Sequence, residues 1–182
     1  MKDLSMHILD IAQNSITAGA ETIEVEITEN RVTDQYRIVI TDNGKGMTAA
    51  YAAKVTDPYV TSRTTRKVGL GLPLLKQNAE RTGGSLEVKS EPEKGTRITA
   101  LFSLKNIDRP PLGDIGGTMV LLAAANLNIR FIYRHITEKD TFTFDTREVN
   151  ATLEGMPISE AGVIRFLKEM IRENLQEINI AG

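Results

Sequence analysis

Leu4, Ile8, Ile11, Ala12 and Ser15 recur three or four residues apart, so residues 3 to about 18 read as an amphipathic helix ending at Gly19. Asp3, His7, Asp10, Asn14 and Thr17 keep the same spacing and stack as a polar stripe beside the apolar one. The period then drops to two. Ile23, Val25 and Ile27 alternate with Glu24, Glu26 and Thr28, and beyond polar turn residues 29–35, Tyr36, Ile38 and Ile40 alternate with Arg37, Val39 and Thr41. Two half-buried strands in a β-hairpin satisfy this pattern, which Asp42-Asn43-Gly44 ends. Thr48 is placed to cap a short helix from Ala49 to Val55, stopped at Asp57-Pro58. Residues 59–68 read as a basic, lid-sized loop with Arg63, Arg66 and Lys67. Another helix runs from Leu70 to Arg81, with Pro73 near its start and Thr82-Gly83-Gly84 at its end. Leu86 and Val88, a turn at Glu93-Lys94-Gly95, and Ile98, Ala100, Phe102 and Leu104 make a second hairpin.

Residues 106–117 concentrate Pro and Gly and read as a linker between a first domain, residues 1–105, and a small C-terminal unit, residues 118–182. In that unit Thr118–Ala125 looks like a buried helix, and Ile129–Ile136 and Thr141–Arg147 look like paired strands. Ser159–Glu177 reads as an amphipathic helix capped by Ser159, with Val163, Phe166, Leu167 and Met170 on its core side. Neither an internal repeat nor a low-complexity tract is present.

A chain of 182 residues buries roughly 70% of its unfolded surface and needs no metal or disulfide staple. With 22 Lys and Arg against 24 Asp and Glu the formal net charge is −2, which argues against a general electrostatic grip on nucleic acid. Zero cysteines exclude disulfides, thiol nucleophiles and zinc-thiolate sites, and two histidines, His7 and His135, do not make a histidine-rich metal site. Asp3, His7, Asp10 and Asn14 interrupt residues 1–20, and no apolar stretch reaches about 18 residues, so the expected setting is cytoplasmic with no membrane contact.

Three segments carry candidate chemistry. Asp10-x-x-x-Asn14 puts both side chains on one helix face, where an Asn carbonyl could ligate Mg²⁺ and a carboxylate could orient a water or hydroxyl; a solvated helix face fits the same residues. Asp42-Asn43-Gly44-Lys45-Gly46-Met47 ends a strand, where a carboxylate can accept from an exocyclic amine and two glycines let backbone approach a flat ring; a Gly-rich turn fits equally. A calcium loop does not, because Gly44 and Ala53 stand where oxygen ligands are needed. Gly69-Leu70-Gly71-Leu72-Pro73 opens a helix whose free amides and dipole suit phosphate oxygens, directly after Arg63, Arg66 and Lys67. It is neither a P-loop nor a dinucleotide fingerprint.

The order of these segments resembles the histidine-kinase-type ATPase domain, the Bergerat fold shared with DNA gyrase, MutL and anti-sigma-factor kinases. The resemblance covers about residues 3–105 and implies an α+β, two-layer α/β sandwich with the small α/β unit appended. Asp10-x-x-x-Asn14 is similar to the asparagine box, Asp42-x-Gly44-x-Gly46 to the first glycine box and Gly69-Leu70-Gly71-Leu72 to the second. Asp57-Pro58-Tyr59-Val60-Thr61-Ser62-Arg63 is similar to the lid segment, and Gly83-Gly84 with Glu91-Pro92-x-x-Gly95-Thr96 to the closing hairpin. The resemblance implies ATP and Mg²⁺ as ligands. Asp42 would recognise the adenine amine with Thr96 assisting, beside Gly44, Gly46 and Met47, and Asn14 would hold Mg²⁺. Gly69, Leu70, Gly71 and Leu72 would meet the phosphates, with Thr61, Ser62, Arg63 and Lys67 from the lid, and Asp10 would be the catalytic base. Two departures stand out: Lys67 occupies the place of a glycine, and Asp10 is one methylene shorter than the Glu often found there.

A histidine kinase of the usual layout carries a phosphoacceptor helical hairpin before this domain, and only six residues precede His7, so self-phosphorylation is not expected. His7 and His135 are expected to be structural. Two functions follow from the resemblance: a stand-alone protein kinase or regulatory ATPase acting on an unidentified partner, or a nucleotide-switched interaction module with little turnover. The C-terminal unit is the candidate partner-binding surface.

Overall fold

The computed structural model describes residues 2–57, 59 and 70–182. Twelve elements follow one another: α1 (Leu4–Thr17), β1 (Thr22–Asn30), β2 (Gln35–Asp42), α2 (Ala49–Ala52), α3 (Gly71–Arg81), β3 (Ser85–Glu91), β4 (Gly95–Ser103), α4 (Ile115–Ala125), β5 (Arg130–Ile136), β6 (Thr141–Asp145), α5 (Thr146–Thr152) and α6 (Ala161–Glu177). The strands form one six-stranded sheet in the order β3-β4-β2-β1-β5-β6, antiparallel throughout except for the parallel β1–β5 pair. Helices α3, α1, α4 and α6 succeed one another as a layer across that sheet. The expected α+β sandwich is therefore present.

Strand alternation decides which face is covered. Ile23, Val25 and Ile27 of β1, Tyr36, Ile38 and Ile40 of β2 and Phe131 and Tyr133 of β5 are all buried on the helix-covered side, in one core with Leu4, Ile8, Ile11, Met119 and Leu167. The other face carries charged pairs around a buried Val39: Arg134 of β5 bridges to both Glu24 and Glu26 of β1.

Residues 118–182 thus share a sheet and a core with residues 1–105. Their attachment is also polar. The first-turn amides of α1, which have no partner inside the helix, are taken by carbonyls of the segment before α4: Leu4 N–H reaches Pro111 O at 2.9 Å and Ser5 N–H reaches Leu112 O at 2.8 Å. Asp3 caps the same helix by accepting from Met6 N at 3.0 Å.

Several expected boundaries shift, each for a visible reason. Gly116 and Gly117, expected in the linker, lie in the first turn of α4. A Cβ on Gly116 would sit 3.1 Å from Ile171 Cγ2, so glycine lets α4 approach α6, while Asp114 caps the helix through Gly117 N at 2.8 Å. The last strand stops at Asp145, which caps the unforeseen α5 through Arg147 N and holds Arg130 with a 3.0 Å bond to Nε. Ser159 caps nothing; α6 starts at Ala161 after Glu160, with no side-chain cap. Phe166 is 67% exposed, because the buried stripe of α6 is Val163, Leu167, Ile171 and Leu175, four residues apart. The short helix ends at Ala52 instead of Val55.

Glu29 was expected in a turn, but β1 runs on to Asn30 and keeps its alternation, burying the carboxylate at 2% exposure. It is satisfied there. Oε1 lies 2.7 Å from His135 Nε2, Oε2 accepts from Ala181 N at 2.8 Å, and His135 Nδ1 lies 2.6 Å from the Tyr133 hydroxyl. His135 is thus a buried structural residue that joins β1, β5 and the C-terminal tail. Removing one partner of such a network strands the others in a low-dielectric interior. Glu29→Ala is expected to destabilise the protein by about 3–5 kcal/mol in urea unfolding. Glu29→Gln, which keeps an acceptor for Ala181, should lose clearly less.

Candidate functional site

One cavity of about 660 Å³ opens where α1, the end of β2, β4 and the start of α3 meet. Such a volume lies within the range that encloses a small organic ligand. Helix α1 supplies one wall through Asp10, Ile11, Asn14 and Ser15. Asp42, Gly46 and Met47 come from the end of β2 and the loop after it, Thr96 from β4, and Gly71 and Leu72 from the first turn of α3. Asp42 and Thr96 are direct cross-strand neighbours in the β2–β4 register.

The polar groups are held in place. Asp42 accepts from Ser15 Oγ through Oδ2 at 2.5 Å and from Gly44 N through Oδ1 at 2.9 Å. The Thr96 hydroxyl lies 2.8 Å from Ser90 Oγ, which donates to Gly95 O at 2.9 Å and accepts from Met47 N at 2.8 Å. Asn43 turns away from the cavity and accepts from Glu21 N and Thr22 N at 2.8 and 2.9 Å, locking the loop to the start of β1.

Close backbone packing explains the glycines. Gly46 has φ +66°, and a Cβ there would lie 1.9 Å from the Glu91 carbonyl oxygen. Gly44 does not line the cavity; it is buried behind it, where a Cβ would come within 2.9 Å of the Ala18 carbonyl oxygen. Gly71 is pressed against the wall opposite: a Cβ on it would fall 1.9 Å from Asp10 Oδ2. The carboxylate of α1 therefore rests on the first residue of α3. Leu70 gives that helix no side-chain cap and is 41% exposed at its start. Pro73 has no N–H, so the first-turn amides beside the cavity are those of Gly71 and Leu72.

The site thus brings together Asp10, Asn14, Asp42, Gly46, Met47, Gly71, Leu72 and Thr96, and sets Gly44 and Leu70 beside them. Thr61, Ser62, Arg63, Lys67 and Gly69 lie outside the described residues. Ser15, Lys45, Thr48 and Tyr51 also line the cavity without having been singled out from sequence. For Ser15 a signal existed, because a hydroxyl within an apolar helix stripe must find a partner when buried. The amide oxygen of Asn14 is a donor suited to Mg²⁺ held jointly with phosphate oxygens, and the Asp10 carboxylate lies on the same wall beside it.

His7 bolts α1 to α3 just below the site. Its ring is 1% exposed, and Nε2 lies 3.2 Å from Asn78 Nδ2. Burial pushes its pKa below the ordinary value, against the opposing pull of the Gly71 main chain and of Asp10 and Asp3.

Residues 2–106 match the family described as histidine kinase-, DNA gyrase B- and HSP90-like ATPase. The chain belongs to this ATPase family. Membership implies ATP binding, and the GHKL fold of this ATPase domain accounts for the two-layer architecture. An NtrY-like sensor histidine kinase named in Rickettsia conorii is 31% identical over 108 residues, 59% of this chain and 18% of that protein. The sensor histidine kinase ZraS of Escherichia coli O157:H7 is 28% identical over 110 residues, 60% of this chain and 24% of its own. This GHKL chain therefore spans about a fifth of the length of such relatives. Among solved structures, the N-terminal domain of a DNA repair protein superposes with a TM-score of 0.52 at 19% identity, covering 79% of this chain and 52% of that one. That likeness concerns the fold. Among the described residues no helix is long and apolar enough to cross a membrane.

The depressed pKa of His7 has a signed consequence. The unfolded chain takes up this proton near pH 6.5 and the folded chain only at lower pH. The stability tied to neutral His7 is therefore complete above about pH 6.5 and declines as pH falls toward the folded value. Melting temperature should drop over that interval in the wild type, and His7→Gln should flatten this part of the profile.

Proposed function

We propose that this chain is a Mg²⁺-dependent ATP-binding module that phosphorylates a partner protein. The observation that carries the reading is the convergence of Asp10, Asn14, Asp42, Thr96 and the α3 N-terminus on one cavity, in a chain of this ATPase family. Asp42, an acceptor fixed at both oxygens, takes the exocyclic amine of adenine, with Thr96 beside it. Asp10 precedes Ser15 by five residues, roughly 7.5 Å along the helix, which sets the phosphate end of the site apart from the base end. At that end the amides of Gly71 and Leu72, with the helix dipole, receive phosphate oxygens. Asn14 would hold Mg²⁺, which when bound neutralises and orients the phosphates. Gly69 would add its amide there and Thr61, Ser62, Arg63 and Lys67 their side chains from the lid segment, all of them outside the described residues.

Asp10, whose carboxylate is seated against Gly71 at the same end, would accept the proton of an attacking hydroxyl or water. The sensor-kinase relatives support transfer to a protein. A second reading, a nucleotide-dependent switch with little turnover, draws support from the bonds of Leu4 and Ser5 to Pro111 and Leu112, which tie the wall carrying Asp10 and Asn14 to the C-terminal segment.

Calorimetry tests the base subsite. Asp42→Asn presents donors where an acceptor is needed, and ATP should bind about 10- to 100-fold more weakly while the melting temperature is kept. Unchanged affinity would remove Asp42 from the adenine site. Turnover separates the two readings: Asp10→Asn should hold ATP affinity within a few fold yet lower phosphate release or label transfer by about 10²–10⁴. Equal rates for wild type and variant, with and without a co-purified partner, would favour the switch.

A further inference from the structure

We infer that Ser15 and Ser90 set the base preference of the cavity, by fixing hydroxyl protons so that only acceptors face the six-position of a bound purine. The inference rests on the assignment of Asp42 and Thr96 to the base subsite. Neither serine belongs to the set of residues read as nucleotide contacts, and both act through another side chain.

Each hydroxyl has a single proton. Ser15 Oγ has two acceptors within reach, Ile11 O at 3.3 Å and Asp42 Oδ2 at 2.5 Å, and the short bond to the carboxylate takes the proton. The second carboxylate oxygen already holds Gly44 N–H at 2.9 Å. Asp42 is thereby fixed at both oxygens, each keeping lone pairs for a ligand. At Ser90 the single proton has two acceptors in reach, Gly95 O at 2.9 Å and Thr96 Oγ1 at 2.8 Å, and Met47 N–H is already accepted at 2.8 Å. A carbonyl oxygen is the stronger acceptor, and giving it the proton lets Thr96 donate into Ser90 so that both hydroxyl protons are used; in this arrangement the link is donated by Thr96. The only proton of Thr96 is engaged in that link, and what it offers the cavity is lone pairs.

Both polar groups at this end therefore accept. A 6-amino purine brings two N–H donors at the six-position, whereas a 6-keto purine has an oxygen there and a single neighbouring donor at N1–H, so its oxygen faces at least one of these acceptors unpaired. Removing Ser90 frees the Thr96 hydroxyl to turn and donate to a keto oxygen. Removing Ser15 unfixes Oδ2 and lets the Asp42 carboxyl group rotate. Either change relaxes the discrimination while leaving the phosphate end untouched. Ser15 and Ser90 are in this sense positioning residues.

Calorimetric titration of the full chain with ATP and with inosine triphosphate, its 6-keto counterpart, both in Mg²⁺, tests this. Wild type should favour ATP by roughly 10- to 100-fold. Ser15→Ala and Ser90→Ala, each followed by thermal melting, should each narrow that ratio at least about fivefold, and Ser15→Thr or Ser90→Thr, which keep the hydroxyl, should widen it again. A purely structural role would weaken both ligands alike and leave the ratio unchanged. A wild type that binds both nucleotides equally, or neither, would overturn the adenine subsite itself. A wild type that prefers ATP, with alanine variants that keep its ratio, would overturn the role of the serines alone.

Discussion

The hydrogen bond from Ser15 to Asp42 is the joint on which the arrangement turns. Helix α1 must bury Leu4, Ile8 and Ile11 in the core and show Asp10 and Asn14 to the cavity on the adjoining face. Successive residues are 100° apart around a helix, so a modest roll would exchange these faces. Apolar packing tolerates such a roll better than a 2.5 Å bond to a carboxylate anchored in β2. That carboxylate is in turn paired in register with Thr96, so one side-chain contact relates the helix, the central strands and the cavity floor.

Close backbone approach is the second organising constraint. Asp10 occupies the space that any side chain at position 71 would need, and the loop after β2 lies on Glu91 and Ala18 at distances that only glycine permits. Gly44, Gly46 and Gly71 are thus demanded by the protein's own packing before any ligand arrives. Function and fold impose overlapping requirements on the same positions, and a glycine substitution here would disturb both.

The local elements were legible because their signals are local. The 3.6-residue stripe of α1, the alternation in β1 and β2, and the Thr48 cap of α2 each lie within a few consecutive residues. Asp10, Asn14, Asp42 and Thr96 could be singled out for the same reason. Contacts distant in sequence left no such trace. Nothing near Glu29 announces His135, 106 residues away, and the parallel pairing of β1 with β5 follows from neither strand alone. Ser15 counted as one of the apolar positions of its helix, and its polar partner lies 27 residues on. At the end of β6 alternation runs on into Asp145 and hides the boundary, although Asp145 followed by Glu148 three residues later is the pattern that opens a helix. Phe166 stands at helical spacing from both Val163 and Met170, yet the four-residue repeat from Val163 to Leu175 decides the buried face.

The carbonyls of Pro111 and Leu112 that receive the first amides of α1 lie beyond residue 106, where the family match ends. Excising the matched segment as a minimal fragment would leave those two amides to solvent and strip β5 from β1. The severed fragment would then carry a bare central strand with every second side chain apolar, a template for intermolecular pairing. For anyone trimming this protein for expression, the practical cut-point is set by the acceptors of α1 and the neighbour of β1, well downstream of where the sequence likeness stops.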